Sequence, residues 1–149
     1  SFPDALLHHP ELRSEATGAL ASRVSVHRSV REALYERQRA FALQPSGAVL
    51  DGRDIGTVIA PEAEVKLFVT ATVSARALRR WREMQRLGDS STLPEIEAQL
   101  AARDERDRTR AVAPLTAAAD AIVLDNSELS AAASAAEAIR LAEQRLLAR

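Results

Sequence analysis

The sequence predicts an α/β protein: a parallel sheet flanked by helices. Three observations carry this. Short, nearly continuous apolar runs stand at 48–51, 65–71 and 121–125, the pattern of strands covered on both faces. Segments with helical periodicity separate and follow them. Gly and Pro punctuate the junctions at Pro45, Gly47, Pro61, Gly88, Pro94 and Pro114. Strands alternating with helices are the signature of parallel βαβ units.

Taken in order, a helix is predicted from about Arg13 to Ser25 and a longer one from about Ser29 to Leu43. Val30, Ala33, Leu34 and Phe41 fall near one face of the second. Pro45, Ser46 and Gly47 end it. Ala48-Val49-Leu50-Asp51 reads as a buried strand, and Val65-Lys66-Leu67-Phe68-Val69-Thr70-Ala71 as the clearest strand of the chain. A basic helix spans about Ser74 to Leu87, a loop covers Asp89 to Thr92, and Pro94 suits the first turn of a helix reaching about Ala111. Ala121-Ile122-Val123-Leu124-Asp125 is the third strand, and Ser130 to Leu147 an alanine-rich amphipathic helix. There is no internal repeat.

Bulk properties narrow the function classes. At 149 residues, 46% hydrophobic and 28% charged, the chain has the profile of one globular domain. No run approaches the roughly 18 apolar residues of a membrane span, and no signal-peptide pattern follows Ser1. With no cysteine there are no disulfides or thiolate metal sites, which fits the cytoplasm. A net charge of −1 and 3% aromatic residues disfavour an arginine-rich RNA binder. Of the 20 basic residues, Lys66 alone is a lysine. Arginine grips phosphate and carboxylate through a rigid fork, so the places where arginines sit carry the information.

Two stretches concentrate that chemistry. In Asp51-Gly52-Arg53-Asp54-Ile55-Gly56-Thr57, an arginine and an aspartate stand at the carboxyl end of a predicted strand, where parallel sheets bind ligands. They could equally form a structural ion pair. Arg103, Asp107 and Arg110 are spaced i, i+4, i+7, one helical stripe. Such a stripe can neutralise a phosphate and accept sugar hydroxyls, or it can be a solvated, salt-bridged face. The adjacent pair His8-His9 offers no metal site, because neighbouring side chains diverge on a regular element.

The strings Asp-Gly-Arg-Asp-Ile-Gly-Thr-Val at 51–58 and Lys-Leu-Phe-Val-Thr-Ala at 66–71 resemble bacterial cytidylate kinases. So do Arg-Asp-Glu-Arg-Asp-Arg-Thr-Arg-Ala-Val-Ala-Pro-Leu at 103–115 and Ala-Ile-Val-Leu-Asp-Asn at 121–126, with Ala21 to Val24, Val30 to Leu34 and Gln38 to Phe41 upstream. The resemblance implies a P-loop nucleoside-monophosphate-kinase fold and phosphoryl transfer from ATP, with Mg²⁺, to CMP or dCMP. It implies that Ser22, Arg31 and Asp54 recognise cytosine, that Arg103 and Asp107 hold the ribose side, and that Arg53 and Arg110 hold the α-phosphate. The basic helix with Arg76, Arg79, Arg80, Arg82 and Arg86 corresponds to the family's lid, about 74–92, and Arg79, Arg80 and Arg110 are the expected catalytic residues. No Walker A loop is present, since the only lysine lies in a strand. Residues 1–149 are therefore expected to be the C-terminal part of a single kinase domain, monomeric when complete. Lacking the P-loop strand, they are expected to form an incomplete sheet and to be inactive alone. The competing reading is a non-catalytic nucleotide-binding or interaction fragment.

Overall fold

The computed structural model describes residues 8–109, 111 and 114–148. A 3-10 turn at Pro10–Arg13 leads into α1 (Glu15–Val24) and α2 (Arg28–Ala42), followed by a π-helical turn at Ile55–Ile59. Strand β1 (Leu67–Thr70), helix α3 (Val73–Arg86), helix α4 (Leu93–Thr109), strand β2 (Ile122–Asp125) and helix α5 (Ala131–Leu147) complete the order.

Caps written in the sequence start the helices. Ser14 accepts from the Thr17 N–H at 3.2 Å at the head of α1, Thr72 from Ala75 at 3.2 Å at α3, and Ser130 from Ala133 at 3.1 Å at α5. At α4 the Glu95 carboxylate reaches back to the Thr92 N–H at 2.8 Å, half of a capping box. Gly88 ends α3 with φ +77°, a left-handed conformation that glycine adopts without steric cost.

β1 and β2 pair in parallel, Leu67 opposite Ile122 through Thr70 opposite Asp125. The ladder extends at both ends, Ile122 N–H to Lys66 O and Asn126 N–H to Thr70 O, each at 2.9 Å. At the entry to the sheet the largely buried Lys66 ammonium binds both Asp120 carboxylate oxygens, at 2.9 and 2.7 Å, and the Pro61 carbonyl. One side chain thus ties the starts of both strands to the turn before them.

The strand expected at 48–51 is not formed. Among the described residues this run has no ladder partner, and Val49 is 95% exposed. Leu50 to Thr57 face β1 across a cavity of about 180 Å³. An apolar run becomes a strand only where a neighbour satisfies its backbone. The expected strand over 65–71 is likewise trimmed to the four residues that β2 matches. The α/β class stands: a small parallel sheet flanked by helices. No helix among the described residues is long and apolar enough to cross a membrane.

The core is spread thinly over Ile59, Ala60, Ala77, Ile96 and Leu124. Ala77 on α3 and Ile96 on α4 are buried, and those two helices pack against each other. Ala77 is 0% exposed, so its methyl group has no free space around it. Ala77→Leu should therefore destabilise the fold by about 1–3 kcal/mol through overpacking, read as a lower urea midpoint with an unchanged slope. An unchanged midpoint would show that the two helices are not closely packed there.

Candidate functional site

A cleft of about 500 Å³ opens between α1, α2, the loop at 51–54 and α4. Ser22, Arg31, Arg53, Asp54, Arg103 and Asp107 all line it, so residues far apart in sequence are brought to one place. Arg110 lies outside the described residues.

In the cleft wall Arg31 on α2 donates through Nη2 to Asp54 Oδ2, and its Nη1 reaches the Ser25 carbonyl at 3.4 Å. The π turn that follows Asp54 fixes its backbone. The Asp54 carbonyl accepts from Val58 N–H at 2.8 Å and from Thr57 and Ile59 N–H at 3.3 Å each, while Ala60 N–H donates to Ile55 O at 2.7 Å. Single π turns of this kind recur at functional sites.

Asp107 also lines the cleft and is a buried acid only 5% exposed. Its Oδ1 accepts from Ser22 Oγ at 3.2 Å and its Oδ2 lies 3.6 Å from Arg53 Nε. A buried carboxylate is tolerable only when paired and hydrogen-bonded, and here α1 and the 51–54 loop both supply partners. One helical turn earlier on α4, the Nε of Arg103 is buried without a hydrogen-bond partner among the described residues. Its Nη1 lies 3.5 Å from the point where a Cβ on Gly18 would stand. The guanidinium therefore lies close against α1, at a distance where even a methyl group would be an ordinary contact.

Arg28 and Glu32 also reach the cleft and pair with each other at 2.7 Å. The other charged lining groups are three guanidiniums and two carboxylates. An excess of positive charge together with an unsatisfied buried donor suits an anion that also carries hydroxyls.

The arginines of α3 lie elsewhere. Arg79 donates to Asn126 Oδ1 at 3.0 Å and to the carbonyls of Asn126, Ser127 and Leu129, bracing the loop after β2. Arg80 pairs with Glu83 at 3.2 Å on the same helix. Neither lines the cleft, and Arg82 and Arg86 are exposed. Arg76 forms a two-pronged bridge from α3 to Asp104 on α4. Sequence reasoning missed Tyr35 and Gln38, which line the cleft one and two turns beyond Arg31. Their i+4 and i+7 spacing from Arg31 was the available signal. It also missed Asp104 as a partner, which nothing in the sequence distinguishes from its acidic neighbours.

The Arg76 bridge has a pH signature. Hydrogen bonding from Arg76 holds the Asp104 carboxyl below the usual aspartate range, with nearby arginine charges adding to the effect, and it raises the pKa of Arg76 in turn. A group whose folded pKa is depressed contributes stability above its unfolded pKa and loses it as pH falls through the folded one. Arg76→Met should cost about 1 kcal/mol at neutral pH, the bridge being partly solvated. The gap from the parent should hold down to the ordinary aspartate range, about 3.9, and narrow below it as folded Asp104 protonates. Denaturant titrations at pH 7 and at about pH 2 check this, and a gap independent of pH would refute it.

Comparison with known proteins agrees with this geometry. The family described as cytidylate kinase matches residues 6–144. A cytidylate kinase of Caulobacter sp. (strain K31) is 55% identical over 124 residues, 83% of this chain and 57% of that protein. One from Cereibacter sphaeroides (strain KD131) is 52% identical over 139 residues, 93% of this chain and 68% of that protein. One from Mesorhizobium japonicum is 47% identical over 145 residues, 97% of this chain and 67% of that protein. The chain spans 57% to 68% of the length of these relatives. With a family match across most of its residues and relatives at about half identity, this chain belongs to the cytidylate kinase family.

Proposed function

We propose that the protein transfers a phosphoryl group from ATP to CMP or dCMP, and that the cleft is its monophosphate site. The observation that carries this is that Ser22, Arg31, Arg53, Asp54, Arg103 and Asp107 converge on one cleft in a chain of the cytidylate kinase family.

Each role follows from hydrogen-bond chemistry. The Asp54 carboxylate accepts from the 4-amino group of cytosine, where uracil presents an oxygen. Arg31 donates to the remaining ring acceptors, and Ser22 donates or accepts as the base requires. Asp107 accepts from ribose hydroxyls, with Arg103 beside it. Arg53, joined by Arg110, neutralises the α-phosphate that attacks the donor. Such chemistry needs positioning and charge neutralisation, with no covalent intermediate on the protein.

Residues 1–149 act on this reading as the C-terminal part of one kinase domain, with 74–92 as a lid. Arg79 and Arg80 reach phosphate only after leaving Asn126 to Leu129 and Glu83. Among the described residues, no three His, Asp or Glu side chains are grouped to hold a metal ion. Magnesium enters on this reading with ATP, as part of the substrate. The enzyme works as a cytoplasmic monomer.

The test uses the protein expressed from its whole reading frame, assayed with ATP and CMP, dCMP or UMP. Asp54→Ala should lower kcat/KM for CMP by about 30- to 150-fold, roughly 2–3 kcal/mol for a hydrogen bond to a charged group. UMP should suffer much less, because two facing acceptors already make it a poor fit. Equal losses for both substrates would mean that Asp54 merely orients its neighbours and reads no base.

A further inference from the structure

Arg39 stands outside the cleft and is not among its lining residues. It sits on α2, eight residues beyond Arg31, about 12 Å along the axis at roughly 1.5 Å per residue. Its Nη1 donates to the Ile59 carbonyl at 2.9 Å and to the Glu62 carboxylate. Two polar links therefore tie α2 to the segment 54–62. Arg31 holds Asp54 at the start of the π turn, and Arg39 holds Ile59 and Glu62 at its end.

The two links differ in what a ligand does to them. Asp54 and Arg31 bind each other directly in this structure. A base that takes a hydrogen bond from Arg31 and gives one to Asp54 competes for the groups that form this link, so the link weakens when the site fills. The Arg39 guanidinium is outside the cleft and pairs with no group proposed to bind the base, so this link stays closed. Between it and Asp54 lies only the π turn, whose amide groups converge on the Asp54 carbonyl. A displaced turn end thus carries Asp54 with it. Ile59, whose carbonyl Arg39 holds, is itself buried against the cleft.

We infer that Arg39 is a positioning residue: it clamps the 54–62 turn to α2, so that Asp54 keeps its place when the base weakens its link to Arg31. This rests on reading the cleft as the CMP site. The clamp acts on base recognition and leaves the donor phosphates untouched, so its loss belongs in CMP affinity. Misplacing a recognition group by a fraction of an ångström to an ångström is enough to cost one to two orders of magnitude.

The test is steady-state kinetics and CMP calorimetry on the whole-frame protein. Arg39→Met should raise KM and Kd for CMP about tenfold, with kcat within about twofold and KM for ATP unchanged. Its CMP-to-UMP preference should narrow. Arg39→Lys, which keeps a donor for Ile59 O, should recover part of the loss. Glu62→Ala, which removes only the outer anchor, should raise KM for CMP about twofold to threefold and remains informative should Arg39→Met fold poorly. A purely structural role lowers the folded fraction, so kcat falls while KM for CMP holds. That pattern, or an unchanged Kd, overturns the inference. A parent protein that neither phosphorylates nor binds CMP would instead defeat the reading of the cleft, and this inference with it.

Discussion

The structure turns on one buried carboxylate. Asp107 is almost fully removed from solvent, and an ionised acid in that position costs several kcal/mol unless it is paired and hydrogen-bonded. Its partners come from elements distant in sequence. Ser22 is on α1 and Arg53 is on the loop before the π turn, while the backbone carbonyl of Asp107 itself accepts from Leu115 N–H at 2.7 Å. Satisfying this one group therefore draws α1, the 51–54 loop and the exit of α4 together. The cleft is the space left between them.

The same interactions prepare the cleft for a ligand. Arg31 with Asp54, and Arg53 with Asp107, neutralise each other in the absence of a nucleotide. Each arginine thereby has its charge met and its orientation set before binding. A nucleotide carries both donors and acceptors, so it can take over these pairings group by group. Arg103 differs, because its buried Nε has no partner among the described residues and is the group with most to gain from a ligand. Outside the cleft, Lys66, Arg39 and Arg76 do bracing work. Each ties one segment to the next through a carbonyl or a carboxylate.

Much of this was legible in the sequence, and the remainder was hidden for identifiable reasons. β1, β2 and the helices carry their periodicity and caps locally, so they could be read directly. The i, i+4 spacing of Arg103 and Asp107 placed them on one stripe, and the structure keeps them there. Residues 48–51 have the composition of a strand, but a strand is completed by its neighbour, and that information is non-local. The π turn left no mark, because Ile55 to Ile59 would fit a strand or a helix equally well. The arginine-rich stretch of α3 announced charge without announcing partners. That Arg79 would serve backbone carbonyls after β2, and Arg76 an aspartate on α4, depended on a tertiary arrangement that no spacing encodes.

The central claim is that the cleft reads cytosine through Asp54 and Arg31. Calorimetric titration of the whole-frame protein with CMP and with UMP tests it most directly, since the two ligands share their sugar and phosphate and differ only in the base. The account predicts that CMP binds at least about tenfold more tightly, the worth of one well-made hydrogen bond to a charged group. Equal dissociation constants for the two nucleotides would contradict it.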